Sequence, residues 1–362
     1  MKKVPVAIIG NGNISPIYLK NLTGIFSDRV YLKGVCDLLP ERSAAAKEKF
    51  GVPVVYDTMY DAFADDEIEI IVNLTRPEEH YGVAVEALRA GKNTHSEKPM
   101  SVVRENAREL FSLGKEKGLL VGVAPDTFLG AGIQTCREII DSGEIGESVG
   151  CAAYMKCHGH ESWHPDPEFY YKPGGGPMLD MGPYYMTALV SLLGPVERLC
   201  GVSKKSFPTR TITSEKKYGK VIDVETDTYI TGITEFKNGA VGQIVTTFDV
   251  WKSENPFIEI YGSKGSLQVP DPNGFGGPVR MQKGTGDWYE VPVTRPFAEN
   301  SRGLGVWDMA GALRQGTYHR ANSTLAYHVL DVMLGFTDSS RSGAFYTPES
   351  TCERPEPLNV KK

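Results

Sequence analysis

Lys98, set between Glu97 and Pro99, is the first residue whose position suggests chemistry. It closes the run His95-Ser96-Glu97-Lys98-Pro99, which reads as a strand ending at the lip of a nucleotide-binding sheet, where one ammonium can meet both a cofactor and a substrate. Oxidising an alcohol requires a base for the hydroxyl proton and an oriented path for hydride. A lysine ordinarily titrates near pH about 10.4, but burial and an adjacent cationic ring both disfavour its charged form. Lys98 is thus either that base or a protonated group that holds the hydroxyl. Asp180 and Tyr184 form a second pair. They share one face if the chain is helical from Leu179, as Met181, Tyr185, Ala188 and Leu192 suggest, with Pro183 in the first turn or at a kink. The segment Cys157-His158-Gly159-His160-Glu161-Ser162-Trp163-His164-Pro165 is the third concentration of functional groups. On a strand His158 and His160 share a face, and with His164 or Glu161 they have the donors for a metal. Neutral hydrogen-bonding groups beside the Trp163 ring equally suit a polyol. A sugar pocket without a metal is the expectation, and a solvated loop with incidental histidines is the plain alternative.

These groups need a frame, and the first third of the chain supplies it. Val6-Ala7-Ile8-Ile9 is a continuous apolar strand, and Gly10-Asn11-Gly12-Asn13-Ile14-Ser15 turns it into a helix with apolar positions at Ile14, Tyr18, Leu22 and Ile25. This is the context of a dinucleotide fingerprint. Gly10 permits the tight turn, Gly12 leaves room for a pyrophosphate, and the helix start offers free N–H groups. Ser15 stands where a third glycine would govern helix packing, and a small residue is tolerated there. The second strand, Val30 to Cys36, ends in Asp37, about 20 residues beyond the glycines, where a carboxylate takes the adenosine ribose hydroxyls and repels a 2′-phosphate. NAD is therefore expected over NADP, with Arg42 placed either to pair a phosphate or to stack on adenine.

Further strands at Val52 to Val55, Ile68 to Leu74 and Leu119 to Ala124 alternate with helices at Asp57 to Ala64 and Glu78 to Ala90, the pattern of a doubly wound parallel sheet. Ligands bind beyond the carboxyl ends of such strands, which places Asn73, Thr75, Glu97 and Lys98 at the cofactor. His80, in the first turn of the following helix, is either a cofactor contact or a polar cap. Asp126 either reaches the substrate or serves the domain linker. From Val149 the pattern changes to long alternating stretches without intervening helices, and Asn238-Gly239 marks a hairpin between Asp227–Phe236 and Val241–Val245. The expected architecture is an N-terminal Rossmann domain over 1–126 and a C-terminal α/β domain over 127–362, with an open, mostly antiparallel sheet.

With 362 residues the chain exceeds one compact core, and its net charge of −6 gives no basic footprint for nucleic acid or an anionic membrane. The apolar run Val4 to Ile9 is too short for a signal-peptide core or a membrane span. Six cysteines without a Cys-x-x-Cys pair suggest neither disulfides nor a thiolate zinc site. A cytoplasmic protein acting on a small molecule is expected. One face of the second sheet must be solvated or covered by another subunit, so a homo-oligomer built on that face is expected as well. The loops at Val269 to Pro278 and the polar tail from Ser339 carry no assigned chemistry.

Taken together, Val6 to Ser15, Asp37, Asn73 to His80 and Ala90 to Pro99 resemble the Gfo/Idh/MocA oxidoreductases, the family of glucose-fructose oxidoreductase and inositol dehydrogenase. The likeness continues through Ile139 to Gly146, Gly174-Gly175-Gly176-Pro177-Met178-Leu179-Asp180-Met181-Gly182, Tyr261 to Leu267 and Ala326 to Met333, nearly the whole chain. It implies a nicotinamide-dependent reaction at a sugar-like hydroxyl. The family's aspartate is followed four positions later by an acid/base histidine. Asp180 matches, whereas Tyr184 stands in the histidine's place. The proton carrier is then Tyr184, with its phenol acidified by a cation such as Lys98, or a histidine of the segment 158–164, with His164 the first choice. The resemblance implies a dehydrogenase of a sugar, glycoside or cyclitol. An NAD-assisted glycosidase and a non-catalytic NAD-binding regulator are the competing readings.

Overall fold

The computed structural model describes residues 2–359. The chain divides into two compact units. The first comprises Met1–Leu129 with Glu299–Tyr327, and the second comprises Gly130–Ala298 with His328–Lys362. The first unit thus takes in a late segment, Glu299–Tyr327, besides the N-terminal part of the chain.

The first unit is built on six parallel strands: β1 Val4–Ile9, β2 Val30–Cys36, β3 Val54–Val55, β4 Ile70–Asn73, β5 Asn93–Ser96 and β6 Val121–Val123. Their order is β3-β2-β1-β4-β5-β6, so the order of strand addition reverses between β1 and β4 while all strands stay parallel. Val6, Ala7, Ile8, Ile70, Ile71 and Val72 are fully buried, as strands covered on both faces require. The helix Ser15–Thr23 buries Tyr18 and Leu22 as its apolar spacing demands. Ile25 lies past its end and is 58% exposed, a departure from the expected helical face. The helix Met59–Ala64 starts on a capping box in which Thr58 and Asp61 satisfy each other's backbone N–H groups.

In the second unit β7 Ser148–Lys156, β8 Val196–Lys204, β11 Tyr229–Phe236, β12 Val241–Thr247, β13 Ile258–Gly262, β14 Gly265–Val269, β15 Val279–Lys283 and β16 Tyr289–Val291 form one sheet. β9 Thr209–Thr211 and β10 Val221–Asp223 make a separate two-stranded ribbon. The large sheet runs β16-β15-β14-β13-β7-β12-β11-β8, and within it only β7 and β12 pair in parallel. The hairpin at Asn238-Gly239 joins β11 to β12 as its sequence indicates, with Glu235 opposite Val241. One face packs under the wholly buried helix Gly182–Leu193 and under Ala131–Asp141. On the other, Val202, Ile233, Val241 and Tyr261 are exposed among charged and polar residues such as the Arg198–Glu235 pair.

Two local expectations change. The helix expected from Leu179 is two helices, Gly176–Asp180 and Gly182–Leu193, because the chain breaks at Met181 and puts Pro183 in the first turn of the second, where its missing N–H costs nothing. The tail from Ser339 is not wholly loop. Its first residues finish the helix Ser323–Ser342, where the buried Ser339 hydroxyl donates to the Ala344 carbonyl and accepts the Gly201 N–H.

Candidate functional site

The turn after β1 is shaped for a ligand's approach. Gly10 adopts φ +96°, and a Cβ there would stand 2.9 Å from the Leu74 carbonyl carbon and oxygen and from the Thr75 nitrogen, so only glycine fits. Gly12 faces open space, the clearance that a pyrophosphate needs. Ser15 donates its hydroxyl to the Gly12 carbonyl and locks the turn to the helix. Asp37 accepts the Asn11 N–H at 2.6 Å and the Leu39 N–H at 2.9 Å, which fixes its carboxylate at the end of β2. Asn11 gives its amide hydrogens to the Cys36 carbonyl and the Ser43 hydroxyl, while its Oδ1 is buried without a hydrogen-bond partner. An orphaned acceptor between two glycines and beside a fixed carboxylate fits the hydroxyl donors and tight backbone approach of a dinucleotide. Arg42 is half-exposed with its Nη1 4.0 Å from Asp37, at the outer rim. Asn13 and Ile14 complete the turn, Asn13 exposed and Ile14 half-buried as the helix N-cap.

Across the strand reversal, the loops after β4 and β5 hold one another. Asn73 is wholly buried; its Oδ1 accepts the Thr75 hydroxyl at 2.6 Å, and its Nδ2 donates to the His80 carbonyl and the Ser96 hydroxyl. His80 is equally buried, with Nδ1 2.8 Å from the Pro99 carbonyl and Nε2 3.1 Å from the Thr75 carbonyl. Burial pushes its pKa down, so the neutral ring donates to one carbonyl at a time. The ring thereby ties the Thr75 loop to the residue after Lys98. Glu97 does the same from the other side. Its Oε1 accepts the Tyr18 hydroxyl at 2.7 Å and its Oε2 the Lys98 N–H at 3.0 Å. Lys98 itself is half-buried at the end of β5. Tyr18, which sequence reading treated only as core, is therefore part of the frame that positions Lys98. Burial, with the Glu97 charge, raises its pKa well above the ordinary tyrosine value.

Asp126, for which the sequence leaves a substrate contact and a linker role open, has backbone partners in the structure. It is buried, and its Oδ2 accepts the Gly303 and Gly305 N–H groups at 2.9 Å, at the start of the helix Leu304–Gln315. Asp126 thus caps the segment that returns to this unit. Burial pushes its carboxyl up to about 6.

In the second unit the histidine segment follows β7 and is braced from below by a buried ionic network. Arg210 on β9 donates to Glu161 at 3.1 Å, to Asp249 at 2.7 Å, to the Phe248 carbonyl and to His158 Nε2 at 3.3 Å. Glu161 also accepts the Tyr171 hydroxyl, and Asp249 the Thr228 hydroxyl. Over this base the three histidines separate. His158 accepts from Arg210 and stacks its ring 3.4 Å from that of Trp251; burial and the guanidinium lower its pKa. His160 places Nε2 3.0 Å from Asp180 Oδ2, with Tyr170, Phe248 and Trp163 packed around its ring. His164 accepts the Asp166 N–H at Nδ1, and burial lowers its pKa. Among the described residues no group of three or more histidine, cysteine, aspartate or glutamate side chains is arranged to hold a metal ion. Trp163 is 61% exposed and Trp251 83%, so two indole faces flank the segment. Tyr184 is buried in the first turn of its helix, and the break at Met181 separates it from Asp180 on the preceding one.

Residues 4–124 match the NAD-binding Rossmann-fold model of the oxidoreductase family, and residues 133–268 match the Gfo/Idh/MocA C-terminal domain. The chain belongs to the Gfo/Idh/MocA oxidoreductase family. An uncharacterized oxidoreductase of Schizosaccharomyces pombe is 30% identical over 152 residues, 41% of this chain and 40% of that protein. The chain thus spans about two fifths of that relative's length. The myo-inositol 2-dehydrogenase of Thermotoga maritima is 23% identical over 72% of this chain and 74% of its own. In three dimensions the chain is similar to a levoglucosan dehydrogenase solved in complex with NADH, with a TM-score of 0.82, 17% identity, and coverage of 96% of this chain and 100% of that one. Residues 4–124 are accordingly the NAD-binding Rossmann domain of a Gfo/Idh/MocA oxidoreductase. Among the described residues no helix is long and apolar enough to cross a membrane.

Proposed function

We propose that the protein is an NAD-dependent dehydrogenase of a ring hydroxyl on a sugar, glycoside or cyclitol. The observation that carries this reading is the pairing of a Gly10–Gly12 dinucleotide cradle with a half-buried lysine whose loop is fixed at Glu97 and His80. NAD, once bound, supplies the hydride acceptor. Gly10, Asn11 and Gly12 would hold its pyrophosphate and Asp37 its ribose hydroxyls. The Asp37 charge favours NAD over NADP by repelling a 2′-phosphate. Lys98 serves the substrate hydroxyl, either holding it or drawing off its proton. Asp180 orients a proton carrier drawn from Tyr184 or the segment His158 to His164. Indole faces and neutral imidazoles suit the apolar face and hydroxyl rim of a sugar ring.

A cytoplasmic location belongs to the same reading, supported by six free cysteines in the described chain. So does a homo-oligomer built on the open face of the second sheet, where Val202, Ile233, Val241 and Tyr261 are exposed. A clean monomer in solution at micromolar concentration would contradict the oligomer. The enzymatic reading is tested by mixing the protein with NAD or NADP and a panel of polyols, sugars and glycosides. Growth of the reduced-nicotinamide absorbance with NAD and at least one polyol is expected. No growth with any member, or release of free sugar without net NADH, would overturn it.

A further inference from the structure

We infer that His160, oriented by Asp180, is the acid/base that carries the substrate proton. This rests on the dehydrogenase reading above and names the residue that it leaves open. The family position for the histidine is filled by Tyr184, yet an imidazole still reaches the family aspartate. It comes from 20 residues earlier in the chain, with Nε2 3.0 Å from Asp180 Oδ2.

Tautomers separate His160 from its neighbours. A carboxylate only accepts hydrogen bonds, so Asp180 requires the hydrogen on His160 Nε2 and leaves the lone pair on Nδ1. That is the arrangement of a base: one nitrogen held by a carboxylate, the other ready for a proton. His164 has the opposite wiring. Its Nδ1 lone pair is taken by the Asp166 N–H, so its neutral ring carries hydrogen on Nε2 and is a donor there. His158 accepts from the permanently charged Arg210 at Nε2, which leaves hydrogen on Nδ1 and makes it a donor too. Of the three imidazoles, His160 alone has its hydrogen claimed by an acceptor. The aromatic packing of Tyr170 at 4.1 Å, Phe248 at 4.8 Å and Trp163 at 5.2 Å fixes the ring plane, which a hydrogen bond to one nitrogen does not.

The step balances without a further reagent. The substrate O–H proton passes to His160 Nδ1, the carbinol C–H pair leaves as hydride to the bound oxidised NAD, and the C=O bond forms. Asp180 then stabilises the imidazolium, which returns its proton to solvent or, in the reverse direction, to the alkoxide.

The titratable groups facing His160 are Asp180, His164 and Tyr170, and the test separates them. With the full-length protein, kcat/KM is measured against pH on a substrate from the active panel, for wild type, His160→Ala, His160→Gln, His164→Gln and Asp180→Asn. In parallel, ¹⁵N-histidine NMR of the wild type reads tautomers and titrations directly. His160→Ala should lower kcat by about 10²- to 10⁴-fold, the usual worth of a general acid/base, with NADH binding followed by fluorescence unchanged. The acid limb of the profile should disappear in both His160 variants, persist in His164→Gln, and shift to lower pH in Asp180→Asn. Free imidazole should partly restore His160→Ala. The NMR should show hydrogen on Nε2 of His160 and a titration matching the acid limb. An unchanged acid limb in a folded His160 variant, or hydrogen on His160 Nδ1, overturns the assignment while leaving the dehydrogenase reading intact. A wild type without turnover on any substrate overturns both. Where the variants do not fold, the wild-type tautomer alone decides.

Discussion

The two units place their functional groups by different means. In the first, Gly10, Asn73, Thr75 and Lys98 stand at the carboxyl ends of adjacent parallel strands, and the contacts around them join loops and a helix that this one sheet edge already brings together, such as Asn73 to Ser96, His80 to Pro99 and Tyr18 to Glu97. In the second, the groups arrive from distant segments. Arg210 reaches 49 residues back to Glu161 and 39 forward to Asp249, and His160 meets Asp180 20 residues on. A parallel sheet makes a site from its own topology, because every strand delivers a loop to the same edge. An open antiparallel sheet does not, and the histidine segment beside it rests on a buried charge network drawn from distant parts of the chain.

Four changes bear on this contrast, in order of decreasing effect. Replacing Lys98 with alanine should lower kcat by about 10²- to 10⁴-fold; full turnover would remove Lys98 from the chemistry. Arg210→Met leaves Glu161 and Asp249 buried without their cation. A loss of about 3 to 5 kcal/mol is expected in denaturant melts of the second unit, with NAD binding by the first retained. The third is pH. His328 lies in the second unit, accepts the Val196 N–H and is pushed down to about 4 by burial. The unfolded chain binds its proton below about 6.5 and the folded chain does not until about 4, so its contribution is complete above 6.5 and is lost as pH falls toward 4. Hydrogen exchange should show about 2 kcal/mol less protection in the second unit at pH 5 than at pH 7 from this group, and His328→Asn should flatten that slope. In the first unit Asp126 works against its two buried imidazoles. His95 and His319 are lowered to about 3 and about 4, whereas the Asp126 carboxyl, raised to about 6, favours the fold most below about 4 and loses that advantage as pH rises through 6. The smallest effect is Asp37→Ser, which should weaken NAD by about tenfold, the loss of a charged hydrogen-bond acceptor, and narrow the gap to NADP. Unchanged preference would assign the choice to Arg42.

What was legible in the sequence follows the same divide. The glycine turn, Asp37 and the strand-end motifs of the first unit were readable because each is local: residue type, spacing and strand period specify the contact. The architecture of both sheets was readable from the same period. His80 and Asp126 stood out by type and place, and their partners are backbone groups, Pro99 and Thr75 for one and Gly303 and Gly305 for the other. A carboxylate capping a helix 177 residues away leaves no spacing to read. The histidine segment was recognised by composition. Its division into one donor stacked on Trp251, one imidazole on Asp180 and one ring accepting from Asp166 depends on Arg210 and Trp251, which no pattern connects to it. The break at Met181 was foreshadowed by Pro183, which tolerates a helix start better than an interior.

The proposed reaction delivers a ring C–H of a sugar-like substrate to NAD as hydride. It is tested most directly with a substrate from the active panel deuterated at its ring carbons, incubated with the protein and NAD, and with the nicotinamide product read by mass spectrometry. NADH one mass unit heavier, formed in step with a ketone on the sugar, is expected. NADH without the label, or an altered sugar with no reduced cofactor, would contradict it.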